Sequence, residues 1–533
     1  MLIVSTIAAP PRTPDTAPAE LPRRVAALIG VLAVGAALGF GHLVATLIAP
    51  SSSPFLAVGD TVIRFSPQFL TEFAKHTFGT LDKPILLSGM AVVITIVAVV
   101  AGLLSRQRAI RGLGIVIAMG ALGILTVIIA PGFAPSQLIA PVVSVVVGAA
   151  VFIGLHRLAL TAYATPATDG AGRQVSRRKV LIGSSAAVAV ASLGATGGGL
   201  LIGGGGVADS RRTVTAQLAR ATLTERAPAI PAGAAFPESG TPTFLTPNAD
   251  FYRIDIALRI PSQTAQDWSL RIHGMVDNPV TLSFDDLLAR KLVERTITMT
   301  CVSNPVGGDL VSTANFIGVE LRDILLEAGV RPGADQIYST SIDGWYTTTP
   351  LDVLMEPGRG ALLAIGMNGE ALPPEHGFPV RMVVPGLYGY VSATKWVADL
   401  EATTFGQKQS YWRERGWAEK APIKTQARID KPLGFTSVPA GKVTVAGIAW
   451  SQPTGIGKVE VRMDGGQWRD AELATEVNYD TWRMWRSDFT LSPGSHTVQT
   501  RVTDRNGVTQ TEMRADPIPD GASGWPATIF SVA

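Results

Sequence analysis

The chain is predicted to join three fold classes: an N-terminal helical transmembrane bundle of about five spans, an α+β domain rich in sheet, and a C-terminal all-β sandwich of immunoglobulin-like strand spacing. Three observations predict this. Hydrophobic residues make up 47% of the 533-residue chain and charged residues 16%, but the long apolar runs are confined to about residues 25–205. Between about 246 and 424, strand and turn signals dominate without regular strand–helix alternation. From about Thr425, short alternating segments are separated by Asp-Gly and Asn-Gly turn signals. The boundaries follow: 1–206 anchor, 207–245 linker, 246–424 α+β domain, 425–533 sandwich.

Val25–Ile48, Ile85–Leu104, Leu113–Ala130 and Leu138–Leu160 each approach the roughly 20 apolar residues that a bilayer span needs. A fifth run, Val180–Gly204, is milder and rich in Ala and Gly. Arg12, Arg23 and Arg24 precede the first span, and Arg106, Arg108 and Arg111 fill the second-to-third connection. Arg157, Arg173, Arg177, Arg178 and Lys179 lie between the fourth and fifth. The positive-inside rule makes all of these cytoplasmic, while loops 50–84 and 131–137 carry balanced charge or none. Five spans starting inside put residues 210–533 outside the cytoplasmic membrane. Ser176-Arg177-Arg178-Lys179-Val180-Leu181 resembles a twin-arginine export signal, with Val180 where Phe is common. In that reading the outer domain folds around a cofactor before it crosses; the plainer reading is a basic anchor. The lipid bilayer is thus one partner.

The net charge of +3 is too small and scattered to point to nucleic acid. One cysteine excludes an intrachain disulfide and leaves the redox compartment unread. Of the six histidines only His42 and His156 lie in or beside the spans, and a two-haem bundle needs four that face one another, so no haem is expected. The lack of buried acidic or basic residues within the spans argues against a transporter.

Residues 207–245 are polar and rich in Pro, Ala and Thr, as linkers are. Thr246-Pro-Asn248-Ala-Asp-Phe251-Tyr252-Arg253 opens the α+β domain and leads into an alternating stretch through Ile260. Trp268–Val276 is expected as a strand and Ser283–Leu288 as the start of a short helix. Gly318–Gly329 is expected as a helix: Leu321, Ile324, Leu325 and Ala328 share one face and Gly329 stops it. In the sandwich, Lys442–Trp450, Lys458–Met463, Trp482–Phe489 and Ser495–Thr503 are expected as strands. Such modules more often mediate contacts than chemistry.

Val293–Cys301 alternates as a strand, with Val293, Arg295, Ile297, Met299 and Cys301 on one face and Thr296, Thr298 and Thr300 on the other. Val302-Ser-Asn-Pro-Val-Gly-Gly-Asp309 follows as turn chemistry. A lone thiol at the end of a rigid strand suits a metal ligand or a nucleophile; a buried cysteine can equally be a small hydrophobe.

Three stretches converge with it: Cys301-Val-Ser-Asn304, Met367 to Gly386 with His376-Gly-Phe-Pro-Val-Arg381 at its centre, and Tyr388-Gly-Tyr-Val-Ser-Ala-Thr-Lys395-Trp396. Together they resemble the sulfite oxidase family of molybdenum-cofactor enzymes over about residues 240–420, and the sandwich matches that family's C-terminal dimerisation domain. The resemblance implies molybdenum–molybdopterin, with Cys301 as thiolate ligand to the metal. It implies that Asn248, Phe251, Tyr252, Asn304 and Ser341 contact the cofactor. His376 and Arg381 would meet the pterin phosphate, where a guanidinium can grip oxygens bidentately. Tyr390, Val391, Ser392 and Lys395 would line the cofactor's far end. Trp345, with Tyr346 beside it, stands where a tyrosine near the metal is expected.

Two departures bear on substrate. Pro305, Val306, Gly307 and Gly308 stand where sulfite-oxidising members commonly carry arginines, and Val391 and Ser392 replace a basic residue. The reaction expected is two-electron oxygen-atom transfer, on sulfite or on an S- or N-oxide, with a tilt toward the less anionic substrate. No haem-attachment motif is present in the sequence, so the electron partner is a separate molecule, and the sandwich implies a homodimer. The rivals are a cysteine-nucleophile hydrolase, which would need His273, His376 or His496 beside Cys301, and a non-catalytic surface-binding protein.

Overall fold

The computed structural model describes residues 20–67, 81–130, 133–163 and 171–533, together with 70, 73, 77 and 78; for residues 51, 171–178 and 199–205 it describes the backbone alone. Arg12 and the side chains of Arg173, Arg177 and Arg178 lie outside the described residues. The chain divides into two compact units, Met1–Gly203 and Gly204–Ala533.

The first unit is built from α1 (Arg23–Ile48), α2 (Pro54–Phe65), α3 (Asp82–Leu104), α4 (Ala109–Ile128), α5 (Ile139–Tyr163) and the first part of α6 (Ala171–Arg220). Five helical stretches are long and apolar enough to cross a membrane: Arg23–Ile48, Asp82–Leu104, Ala109–Ile128, Pro135–Tyr163 and Lys179–Gly198. Small residues set the packing, because apolar surface gains nothing by leaving lipid and close backbone approach must supply the attraction. A Cβ on Gly30 would stand 2.0 Å from the Ala98 carbonyl oxygen, and one on Gly102 2.0 Å from that of Ala26. His156 bonds the Ser105 carbonyl oxygen at 2.7 Å and His42 the Ser53 hydroxyl at 3.1 Å.

In the second unit the segment expected as a linker is integrated structure. Helix α6 runs to Arg220, with Val214 and Leu218 buried one turn apart in the core. Arg211 donates to the carbonyl oxygens of Leu372 and Ala371 at 2.9 and 3.1 Å. Strand β1 (Leu223–Glu225) then pairs parallel with β4 (Leu292–Thr300). The polar composition belongs to the solvent face of an amphipathic helix end.

The strands continue as β2 (Ser269–Gly274), β3 (Val280–Ser283), β4 (Leu292–Thr300), β5 (Val311–Glu320), β6 (Gln336–Ser341), β7 (Tyr346–Pro350), β8 (Leu362–Met367), β9 (Glu370–Ala371), β10 (Arg381–Val383) and β11 (Val397–Thr403). One sheet has the order β1-β4-β5-β8-β10, with β9 on β8; the other runs β3-β2-β11-β6-β7. Helix α7 (Phe284–Leu288) starts at Ser283, whose hydroxyl caps the Asp286 N–H. Helix α8 (Leu321–Ala328) buries Leu321, Ile324, Leu325 and Ala328 as its periodicity predicts and ends at Gly329 with φ +67°. It starts three residues later than expected, because β5 runs to Glu320. Residues 254–260 alternate but form no strand.

The C-terminal β unit has two sheets. Its strands are β12 (Gln426–Lys431), β13 (Ser437–Val438), β14 (Gly441–Trp450), β15 (Ile456–Met463), β16 (Arg469–Asp470), β17 (Glu472–Leu473), β18 (Arg483–Leu491), β19 (Gly494–Asp504) and β20 (Ala527–Val532). The sheets run β12-β14-β18-β17 and β13-β20-β19-β15-β16. Val443, Val445, Trp485 and Phe489 from one meet Val459, Val461, Val498 and Phe530 from the other in a common core.

Candidate functional site

Cys301 follows directly on β4 and is 8% exposed. From Thr296 to Thr300 both faces of β4 are buried, so the threonine face does not meet solvent as alternation implied. Two of its three hydroxyls are taken up inside: Thr296 donates to Asn315 at 2.7 Å and Thr298 bonds Thr313. The loop closes on itself. Cys301 N–H donates to the Leu310 carbonyl oxygen at 2.9 Å, Asn304 N–H to that of Cys301 at 3.1 Å, and Leu310 N–H to Asn304 Oδ1 at 3.0 Å. Gly308 is required there, since a Cβ would stand 2.4 Å from Asn304 Oδ1. Two polar atoms beside the thiol, Thr300 Oγ1 and Asn304 Nδ2, are buried with no hydrogen-bond partner.

Arg381 opens β10, only 4% exposed. Its guanidinium donates to the His376 carbonyl oxygen at 3.1 Å and to that of Met382 at 3.4 Å, and lies 6.0 Å from the Phe316 ring centre. Among the described residues no carboxylate lies within ion-pair distance of it. Burial lowers its pKa to about 10, so it remains a cation at neutral pH. A buried cation bonded only to neutral carbonyls is costly unless an anion joins it. Tyr252 ties Arg381 to the thiol: burial raises its phenol, the Cys301 charge raises it further, and Arg381 opposes both. Phe251 stacks on Tyr252 at 5.4 Å and meets His376 edge-on at 5.3 Å.

His376 Nε2–H donates to the Asn248 carbonyl oxygen at 3.1 Å. Burial, and then the Arg381 charge, push its pKa down to about 4, so the ring is neutral. The sign of the pH effect follows. Between pH 6.5 and 4 the unfolded chain binds a proton here that the folded one refuses, so this contribution to stability is lost as pH falls through that window. His376→Gln keeps a donor for Asn248 and removes the titration. Thermal melts from pH 7 to 4 are expected to give a shallower acid slope for the variant; parallel slopes would refute it.

Asn248 and Lys395 adjoin this centre, and the remaining predicted residues have the partners given below. Lys395 is held by Asp255 at 2.9 Å and the Glu375 carbonyl oxygen at 3.0 Å, and burial lowers its pKa to about 8. Gly377, at φ +110°, lets the chain pass: a Cβ there would lie 3.0 Å from Arg381 Cβ and 3.2 Å from Lys395 Cα. The Asn248 amide bonds Glu370 at 2.7 Å and Asn368 at 2.9 Å. Ser341 is buried at the end of β6, two residues before Asp343, whose carboxyl is raised chiefly by burial. Ser392 Oγ donates to the Tyr388 carbonyl oxygen at 3.0 Å, and the Val391 carbonyl accepts from Thr349 at 2.6 Å.

Tyr346 and Tyr390 are linked in one aromatic cluster through Tyr411, Trp412 and Trp417. Tyr346 stacks on Tyr338 at 5.5 Å and donates to Glu414 at 2.8 Å. Tyr390 packs on Trp417 at 5.8 Å and donates to the Ala418 carbonyl oxygen at 2.7 Å. The backbone carbonyl of Trp345 accepts from Ser341 N–H at 2.8 Å. Tyr388, two residues before Tyr390, is not among the predicted site residues. It is 2% exposed, and its pKa is raised to about 12 by burial first, with the Asp520 and Cys301 charges adding to the rise.

Residues 257–412 match the family model described as the oxidoreductase molybdopterin binding domain. The mitochondrial sulfite oxidase of Rattus norvegicus is 30% identical over 296 residues, covering 47% of this chain and 54% of that protein. The uncharacterized oxidoreductase YuiH of Bacillus subtilis is 37% identical over 150 residues, covering 28% of this chain and 72% of that protein. The crystal structure of the sulfane dehydrogenase SoxCD from Paracoccus pantotrophus matches with a TM-score of 0.46 and 25% identity, over 53% of this chain and 79% of that one. The chain spans about half the length of the mitochondrial sulfite oxidases it matches.

Proposed function

The chain belongs to the sulfite oxidase family of molybdopterin-dependent oxidoreductases, and from that premise we propose that it is a membrane-anchored enzyme of oxygen-atom transfer with its catalytic domain outside the cytoplasmic membrane. The observation that carries the reading is the electrostatic grouping of Cys301, Tyr252 and Arg381, in which the buried guanidinium has no carboxylate partner among the described residues. The side chains fit a molybdenum–pterin group. Arg381 lacks only an anion, and Asn304 Nδ2 and Thr300 Oγ1 lack partners. When bound, the group supplies oxygen-atom transfer and the two-electron change.

Cys301 would hold the metal as a thiolate, a soft ligand suited to that centre. Among the described residues no three His, Cys, Asp or Glu side chains converge on a metal position, and Cys301 is the protein ligand in this reading. Arg381 would hold the phosphate, with neutral His376 beside it. Asn248, Phe251, Tyr252, Asn304, Ser341, Tyr390, Val391, Ser392 and Lys395 would enclose the pterin. Trp345 and Tyr346 would face the substrate.

The Cys301 loop offers no cation at Pro305 to Gly308, which favours a less anionic substrate, an S- or N-oxide, over sulfite. The basic Arg106 and Arg108 between α3 and α4, with Arg111 in the first turn of α4, support the outward placement by the positive-inside rule. Purified full-length protein is expected to contain molybdenum and to turn over methionine sulfoxide with a higher kcat/KM than sulfite. Protein purified without molybdenum would sink the cofactor reading, and faster sulfite turnover the substrate reading.

A further inference from the structure

Strand β4 leads directly into Cys301, yet beyond its first residues its outer edge has no strand partner among the described residues. β1 pairs with it only through Leu223–Leu292 and Glu225–Val293. The C-terminal β unit takes the vacant place. Thr298 N–H donates to the Asp480 carbonyl oxygen at 2.9 Å, Asn478 Nδ2 to that of Thr296 at 3.1 Å, and Trp482 N–H to Thr298 Oγ1 at 2.7 Å. One side chain joins both partners. Gln452 Nε2 donates to the Thr298 carbonyl oxygen at 2.6 Å and to the Asp480 carbonyl oxygen at 2.5 Å. Gln452 is 5% exposed and follows closely on β14.

The grip lies three residues before the thiol. A buried strand edge with unpaired carbonyls would open locally, and its end, where Cys301 stands, would move with it. We propose that Gln452 is a positioning residue for Cys301: by closing the edge of β4 it fixes the sulfur against the metal, so the C-terminal β unit is part of the metal site as well as a contact module. The inference rests on the reading of Cys301 as a metal ligand.

The test uses the full-length protein in detergent. Gln452→Met keeps the volume and removes both donated bonds; Asn478→Ala, on the same edge, is a milder second variant. Amide hydrogen exchange in peptides spanning Thr296–Cys301 is expected to be about tenfold faster in Gln452→Met, with peptides of β8 unchanged. The electron paramagnetic resonance spectrum of the one-electron-reduced metal is expected to shift at parental molybdenum content. Unchanged exchange in both variants overturns the proposal. Faster exchange with an unchanged spectrum also overturns it, since Gln452 would then be structural only. Absence of molybdenum from the parent protein would instead refute the function proposed above, while the exchange comparison still reports on the grip.

Discussion

Cys301→Ser is expected to leave the fold intact and to lower turnover by about a thousandfold, close to 4 kcal/mol of transition-state stabilisation. The fold is expected to survive because the three hydrogen bonds that shape the loop use backbone groups and the Asn304 side chain. Cys301 N–H bonds Leu310, Asn304 N–H bonds Cys301, and Asn304 Oδ1 caps Leu310; none uses the sulfur. What changes is the donor: a serine hydroxyl is harder and far less acidic than a thiol, and does not ionise onto the metal as readily. The absorption of the oxidised protein is expected to lose its sulfur-to-metal charge-transfer intensity. Parental turnover together with an unchanged absorption band in the variant would exclude Cys301 as the ligand. Metal content alone is the weaker readout, because Arg381 and its neighbours would still hold the pterin.

How much of this was legible in the sequence depended on how local each signal is. Helix α8 and strand β4 were readable because their patterns repeat within a few residues. Leu321, Ile324, Leu325 and Ala328 bury as expected. The end of α6 was not readable, since Val214 and Leu218 acquire a core only through distant residues of the fold. The threonine face of β4 misled for the same reason: alternation marks two faces, but only the tertiary neighbours Asn315, Thr313 and the Asn478–Trp482 segment decide that both are buried. The motif stretches did bring Cys301, Tyr252, His376 and Arg381 to one place. They could not assign Tyr388 over Tyr390, nor foresee that Lys395 spends its charge on Asp255. Asp255 lies 140 positions away, and ion-pair partners leave no local trace.

Arg381→Met is expected to move cofactor retention and stability in opposite directions, which separates a phosphate ligand from a structural cation. Arg381 is a charge at 4% exposure with, among the described residues, carbonyl oxygens as its only hydrogen-bond partners. Replacing it with an unbranched apolar chain removes that desolvation, and the cofactor-free variant is expected to melt higher, by about 1–3 kcal/mol of added stability. With the cofactor the balance reverses. Removing one partner of a buried, hydrogen-bonded charge pair costs about 2–5 kcal/mol, a loss of affinity between about 30-fold and several thousandfold. Arg381→Lys is expected to rescue only part of it, because an ammonium cannot reproduce the planar two-point grip. Molybdenum and pterin content after gel filtration, set against melting of cofactor-free protein, reads both signs. If Arg381→Met lowers stability in the cofactor-free state and leaves pterin content unchanged, the guanidinium is a packing element of β10 and the phosphate must be held elsewhere.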